Sequence, residues 1–262
     1  MPRFSTTQWL DNLASGLPGR ETRHESPLGT IIATHWGSGA RIVLVHGIGM
    51  GRSYFGRLRD ALASAHEVIA VDLPGFGDSP QPDEPLSIEG LADALADYVC
   101  TLPAPVTALG HSMGTQIVAE LGARHPELVR SVVLIAPTVN PDERSATRQA
   151  FRLVQDSLGE PLRVVLTAVV LYVKAGPLWF LAKLRAMMAH RIEDPVARLS
   201  VPALVVTGAR DRVSPPDWAR RLADLAPDGR ALTASDTGHE AIITSAEPVA
   251  SIVLDFVART AD

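Results

Sequence analysis

The chain has 262 residues, 46% of them hydrophobic, and a formal net charge of -5. That supplies apolar material for one large core, which excludes disordered and fibrous classes and points to a single α/β domain or to one domain with an insertion. No run of like charges, no basic stripe and no window of about 18 uninterrupted apolar residues occurs, so neither a nucleic-acid partner nor a stable membrane insertion is expected.

The opening MPRFSTTQWLDNLASGLPGRE lacks the apolar stretch of a secretory signal. Apolar runs at 29–36 (GTIIATHW), 41–47 (RIVLVHG), 67–75 (EVIAVDLPG), 105–111 (PVTALGH) and 131–137 (SVVLIAP) predict strands, several apolar on both faces as covered parallel strands are. Between them, apolar residues at three- and four-residue spacings predict helices at about 53–65, 87–101 and 112–125. The one cysteine, Cys100, falls in the second of these helices and reads as a buried, inert thiol; it cannot form an intramolecular disulfide, which fits a reducing cytoplasm. After Pro137 about sixty residues pass before the next convincing strand. Asn140-Pro141-Asp142-Glu143 reads as a helix start, with Asn140 as cap, and helices are predicted around 143–158, 161–174 and 177–191. Residues 139–195 are therefore expected to be a helical cap, and 1–138 with 196–262 the core that carries it. The chain closes with strands at 202–208 (PALVVTG) and 230–235 (RALTAS) and helices at 217–226 and 246–259. Strand and helix in alternation predict a mostly parallel, doubly wound sheet.

Within ALGHSMGTQI, Gly110-His111-Ser112-Met113-Gly114 has the spelling G-x-S-x-G, and it stands between a predicted strand and a predicted helix. That context holds a serine exposed on a tight turn at a helix N-terminus, where backbone N–H groups can stabilise negative charge. A serine hydroxyl is a poor nucleophile at neutral pH and requires a histidine base oriented by a carboxylate. Asp211 lies just beyond the strand PALVVTG, and His239 beyond the strand RALTAS, giving the chain order nucleophile, acid, base. Asp236, three residues before His239, is the main competitor for the acid.

Through VHGIGMG, VIAVDLPGFGDS, GHSMG, VVTGARDRVSP and TGHEA the sequence resembles the α/β-hydrolase superfamily across nearly all of residues 28–260. The resemblance implies the α/β-hydrolase fold, with a helical cap inserted after strand 6 of the family's sheet, and backbone oxyanion donors at Ile48 and Met113. It implies an acyl-enzyme mechanism on Ser112 with no cofactor. An aspartate nucleophile marks haloalkane dehalogenases and epoxide hydrolases, so the serine here points instead to esterases, lipase-like enzymes, thioesterases, lactonases, C–C bond hydrolases or perhydrolases. C–C hydrolases usually carry a tryptophan soon after the histidine, whereas this chain reads GHEAIITSAE.

His46 reads as bracing the oxyanion turn, and Asp72, Asp78 and Ser79 as turn-stabilising. His111 points to the other side of the strand end and reads as structural; with Gly47, Gly49, Val169 and Trp179 it also completes the set of candidate substrate contacts. No Cys/His or paired-carboxylate spacing suggests a metal. The apolar residues of the cap, among them Leu162, Val165, Leu166, Trp179, Phe180, Met187 and Met188, favour an apolar acyl or ring-containing small-molecule substrate, although packing within the cap explains them as well. Arg148, Arg152, Lys174, Lys183 and Arg185 read as solvent-facing cap residues that a substrate carboxylate could meet. The same apolar cap is a candidate homodimer surface. The expectation is a cytoplasmic, serine-dependent hydrolase of an ester or thioester-like carbonyl. Its rivals are a C–C hydrolase of diketone-type acids, a lyase, isomerase or cyclase on the same fold, and a binding protein with an idle triad.

Overall fold

The computed structural model describes residues 19–103, 105–143, 177–234 and 237–260. The expected helices at 143–158 and 161–174, together with Arg148, Arg152, Val169 and Lys174, lie outside the described residues, as does Asp236.

Eight strands form one sheet: β1 (Arg20–Ser26), β2 (Gly29–Trp36), β3 (Arg41–Val45), β4 (Glu67–Asp72), β5 (Val106–His111), β6 (Val129–Ile135), β7 (Ala203–Gly208) and β8 (Gly229–Ala234). Their spatial order is β1-β2-β4-β3-β5-β6-β7-β8. The β1/β2 and β2/β4 pairs are antiparallel and the remaining pairs parallel. The period-2 geometry of a strand divides its side chains between two cores. Val43, Val45, Ile69 and Val71 enter one, with Leu91 and Leu95 of α2 (Ile88–Val99), Ile117 and Leu121 of α3 (Met113–Arg124) and Trp218 and Leu222 of α6 (Pro216–Leu225). Ile42, Leu44, Val68 and Ala70 enter the other, with Leu58 and Leu62 of α1 (Gly56–Ala63) and Val253 and Phe256 of α7 (Ala246–Arg259). Helices on both faces are what make these strands apolar throughout.

Local chemistry sets several boundaries. Ser87 caps α2 by accepting from the Gly90 amide at 3.1 Å, and Pro216 opens α6. Asn140 accepts from the Asp142 amide at 3.1 Å, so the expected cap is present, on a 3-10 turn at Pro141–Glu143.

Two readings change. Strand β1, RETRHES, has no apolar period because it is an edge strand paired only with β2 and wet along much of its length. Cys100 is exposed, because it sits at the C-cap of α2, past the stripe that faces the core; its thiol donates to the Asp97 carbonyl at 3.0 Å.

Beyond residue 176 the chain re-enters through α4 (Pro177–Ala189) and α5 (Glu193–Ala197), the latter spanning the expected cap boundary at 195/196. Both are held against α3. The Gln116 amide donates to the Met187 carbonyl at 2.9 Å, and His190 pairs with Glu120 at 3.0 Å. Lys183, expected in solvent, is only 1% exposed: its ammonium donates to the Leu86 carbonyl at 3.0 Å and lies 4.7 Å from the Trp179 ring centroid. Burial depresses its pKa to about 8. No helix among the described residues is long and apolar enough to cross a membrane.

Candidate active site

Strand β5 ends at His111 and α3 begins at Met113, leaving one residue for the turn. Ser112 takes it with φ 52° and ψ -119°, a strained conformation for a residue with a Cβ. The flanking glycines are explained by crowding. A Cβ on Gly110 would lie 2.2 Å from the Gly114 carbonyl oxygen, and one on Gly114 would lie 2.2 Å from the Val45 carbonyl oxygen. The turn is thus closed against its own helix and against β3, and Ser112 keeps 9% exposure.

Asp211 follows β7 and His239 follows β8, both loops that leave the C-terminal ends of parallel strands. They converge on Ser112: His239 Nε2 lies 3.2 Å from Ser112 Oγ, and His239 Nδ1 lies 3.0 Å from Asp211 Oδ2. Asp211 Oδ1 is fixed separately, accepting from the Val213 and Ser214 amides at 2.8 and 2.7 Å. Asp211 and His239 are each 3% exposed, so their interaction is little screened by water. With its Nδ1–H donated to a carboxylate, His239 presents a lone pair at Nε2 to the serine hydroxyl, the arrangement that removes the hydroxyl proton.

The turn after β3 closes the other side. A Cβ on Gly47 would stand 3.2 Å from the Ser112 Cβ, Gly49 has φ +73°, and Ile48 between them is half-buried. His46 braces this turn: its Nε2 accepts from the Leu73 amide at 3.3 Å, so Nδ1 carries the proton and donates to the Gly47 carbonyl at 2.8 Å. Burial holds its pKa below the usual histidine value. Met113, at the first position of α3, is fully buried.

Asp72 is the hub beneath these loops. Its carboxylate accepts from the Arg52 amide at 2.6 Å, from the Arg52 guanidinium and from the Asp78 amide at 2.9 Å, while its carbonyl accepts from Ser79 Oγ at 2.8 Å. Only glycine fits at position 77, which has φ +58° and would drive a Cβ to 2.2 Å from that carboxylate. Arg52 was not among the expected site residues; the basic position after the glycines of GIGMGR was its only signal in the sequence.

Of the remaining candidate contacts, Trp179 is engaged elsewhere, its ring against Gly75 and beside Lys183. His111 is 2% exposed and donates to the His239 carbonyl. Sequence reasoning did not single out Glu240, next to His239. Its Oε2 is buried without a partner, and burial raises its pKa to about 7. Among the described residues, Glu89, Glu120 and His190 bring ligand-type atoms within 4.8 Å of one another. Glu120 already holds His190 at 3.0 Å, with the Arg198 guanidinium 3.8 Å away, an ion-pair network that ties α4 to α3.

Comparison with known proteins gives concordant results. The family described as "Alpha/beta hydrolase family" matches residues 42–252. A pimeloyl-[acyl-carrier protein] methyl ester esterase of Vibrio cholerae is 27% identical over 87% of this chain and 99% of its own length. A 2-hydroxy-6-oxo-6-(2'-aminophenyl)hexa-2,4-dienoic acid hydrolase of Metapseudomonas resinovorans is 26% identical over 86% of this chain and 87% of its own. A thermophilic esterase from Thermogutta terrifontis superposes with TM-score 0.79 at 21% identity, covering 92% of this chain and 99% of that one.

Proposed function

The chain belongs to the α/β-hydrolase family, and from that premise we propose that it is a serine-dependent hydrolase that cleaves an ester or thioester-like carbonyl of a relatively apolar small molecule. The observation that carries this reading is the unbroken chain Ser112 Oγ, His239 and Asp211, with contacts of 3.2 and 3.0 Å, on a serine held at φ 52°.

In the proposed reaction Ser112 Oγ attacks the carbonyl carbon as His239 Nε2 takes its proton, and Asp211 stabilises the resulting imidazolium. The Ile48 and Met113 amides, from the two turns that meet at Ser112, donate to the oxyanion; one such donor is worth about 10²- to 10³-fold in rate. His239 returns the proton to the leaving group, whose departure leaves an acyl-Ser112. A water deprotonated by His239 then attacks the acyl carbon, and Ser112 leaves with the proton restored. The many apolar residues in the 139–195 sequence support an apolar acyl or ring-bearing substrate. No step calls for a cofactor.

A second reading, cleavage of a C–C bond in a diketone-type acid, is favoured by the similarity to the dienoic acid hydrolase. The absence of a tryptophan from GHEAIITSAE weighs against it. A fluorophosphonate probe separates acyl-enzyme chemistry from other uses of the fold: labelling of the wild type that disappears in Ser112→Ala is expected. No labelling under conditions that label an ordinary esterase refutes the nucleophile. A panel of short- and long-chain p-nitrophenyl esters beside a dienoic diketone acid then assigns the bond cleaved.

A further inference from the structure

His111 is the last residue of β5 and the immediate neighbour of Ser112, yet its side chain is directed at the loop that carries His239. Its Nε2 lies 3.0 Å from the His239 backbone oxygen, and the two rings stand 5.3 Å apart, tilted by 50°. The Tyr54 ring packs on it at 5.6 Å. A carbonyl oxygen only accepts, so the proton of His111 resides on Nε2. Its Nδ1 is buried without a partner, 3.6 Å from where a Cβ would stand on Gly47. Burial first, and the charge of His239 second, push the pKa of His111 down to about 3, so Nδ1 stays unprotonated throughout the neutral range. This neutrality suits its place. A second cation would oppose the imidazolium that forms on His239 during turnover.

We propose that His111 is a positioning residue for the hydrolysis: its Nε2–H, donated to the His239 carbonyl, ties the strand bearing the nucleophile directly to the loop bearing the base. The proposal rests on the assignment of Ser112 and His239 as nucleophile and base. The sheet order explains why such a tie is needed. Two strands, β6 and β7, separate β5 from β8, so the base returns over roughly 14 Å of sheet to reach the serine. Asp211 fixes the rotation of the His239 ring, but it holds the side chain, not the backbone that sets where the ring begins. His111 holds that backbone from the nucleophile's own strand end, so the Ser112 to His239 distance is set locally across one hydrogen bond.

The test compares His111→Phe, which keeps a ring but removes the donor, with His111→Gln, whose amide N–H has the reach to restore it. Fluorophosphonate titration counts the active serines, and p-nitrophenyl butyrate hydrolysis is expressed per titrated serine. His111→Phe is expected to lose about 10²-fold in kcat, the order associated with an ångström of misplacement, with KM within about twofold. His111→Gln is expected to recover most of the loss. An unchanged kcat per titrated serine in a folded His111→Phe, even with a lowered Tm, is the signature of packing alone and overturns the proposal. A raised KM at unchanged kcat makes His111 a substrate contact and overturns it equally. If His111→Phe does not fold, His111→Asn, one methylene too short for the bond, takes its place, and equal rates for Asn and Gln are the refuting result. Failure of the underlying assignment looks different: the wild type does not label, Ser112→Ala turns over as fast as the wild type, and both readings fall together.

Discussion

Replacing Asp211 by asparagine changes one atom of the site, and its outcome can be worked out from the hydrogen bonds already in place. Oδ1 of Asp211 accepts from two backbone amides, those of Val213 and Ser214, at 2.8 and 2.7 Å. An asparagine NH2 placed there would face two donors, so the amide oxygen stays and the NH2 is turned toward His239 Nδ1. Facing a donor, Nδ1 must present its lone pair, and the ring proton moves to Nε2, 3.2 Å from Ser112 Oγ. In that tautomer Nε2 cannot accept the serine proton. A wrongly protonated base of this kind costs about 10⁴-fold in kcat, roughly 5.5 kcal/mol of transition-state stabilisation, with KM little changed because no substrate contact is lost. Hydrolysis of p-nitrophenyl butyrate, normalised to protein folded by circular dichroism, reads the rate, and the fluorophosphonate labelling rate provides an independent measure. A folded Asp211→Asn variant that loses less than tenfold refutes the assignment of Asp211 as the residue that sets the tautomer.

Three other outcomes are expected. Activity falls as pH drops through about 6 to 7, because His239 must be neutral to accept the serine proton. Glu240 also titrates near 7, so the limb is measured in Glu240→Gln as well; its disappearance there, or a flat profile from pH 5 to 8, rules out His239 as its source. Gly114→Ala forces a Cβ to within 2.2 Å of the Val45 carbonyl and 2.8 Å of that of His46, an overpacking that lowers stability by about 1–3 kcal/mol; an unchanged urea midpoint contradicts the crowding described. Lys183 has its pKa lowered to about 8 in the folded chain from its ordinary value of 10.5, so the unfolded chain binds more protons between those values. Wild-type stability therefore rises relative to Lys183→Met as pH increases from 8 to 10.5, and a difference that stays constant over that window argues that the ammonium is not held among the rings.

How much of this was legible in the sequence depended on whether a residue's partner lay on a repeating pattern. Strands β2 to β7 announced themselves because burial on both faces leaves an uninterrupted apolar run, whereas β1, bordering solvent, reads as charged coil. Ser112, Asp211 and His239 were readable because each lies in the loop past a strand end, one, three and five residues beyond β5, β7 and β8. The Asp72 hub was only half visible. A turn role for Asp72 follows from its place at the end of VIAVD, but its ion pair joins residues 20 positions apart that no local period connects. Lys183 was misread for the opposite reason: in isolation a lysine on a helix belongs in water, and its burial is tolerable because the ammonium bonds the Leu86 carbonyl and lies against Phe76 and Trp179. Cys100 shows how a helical stripe misleads at its last turn, where the helix ends before the pattern does.

Helix α3 starts just after Ser112 and, farther along, holds residues 187 and 190 through Gln116 on Met187 and Glu120 on His190. The chain therefore has a natural graft boundary. A foreign segment spliced between positions 143 and 177 inherits both anchor points with their spacing from Ser112 intact, and on the proposed cap assignment substrate preference is expected to move with it. A splice placed after 190 discards the anchors along with the segment, and the graft must then supply its own grip on the helix that begins beside Ser112.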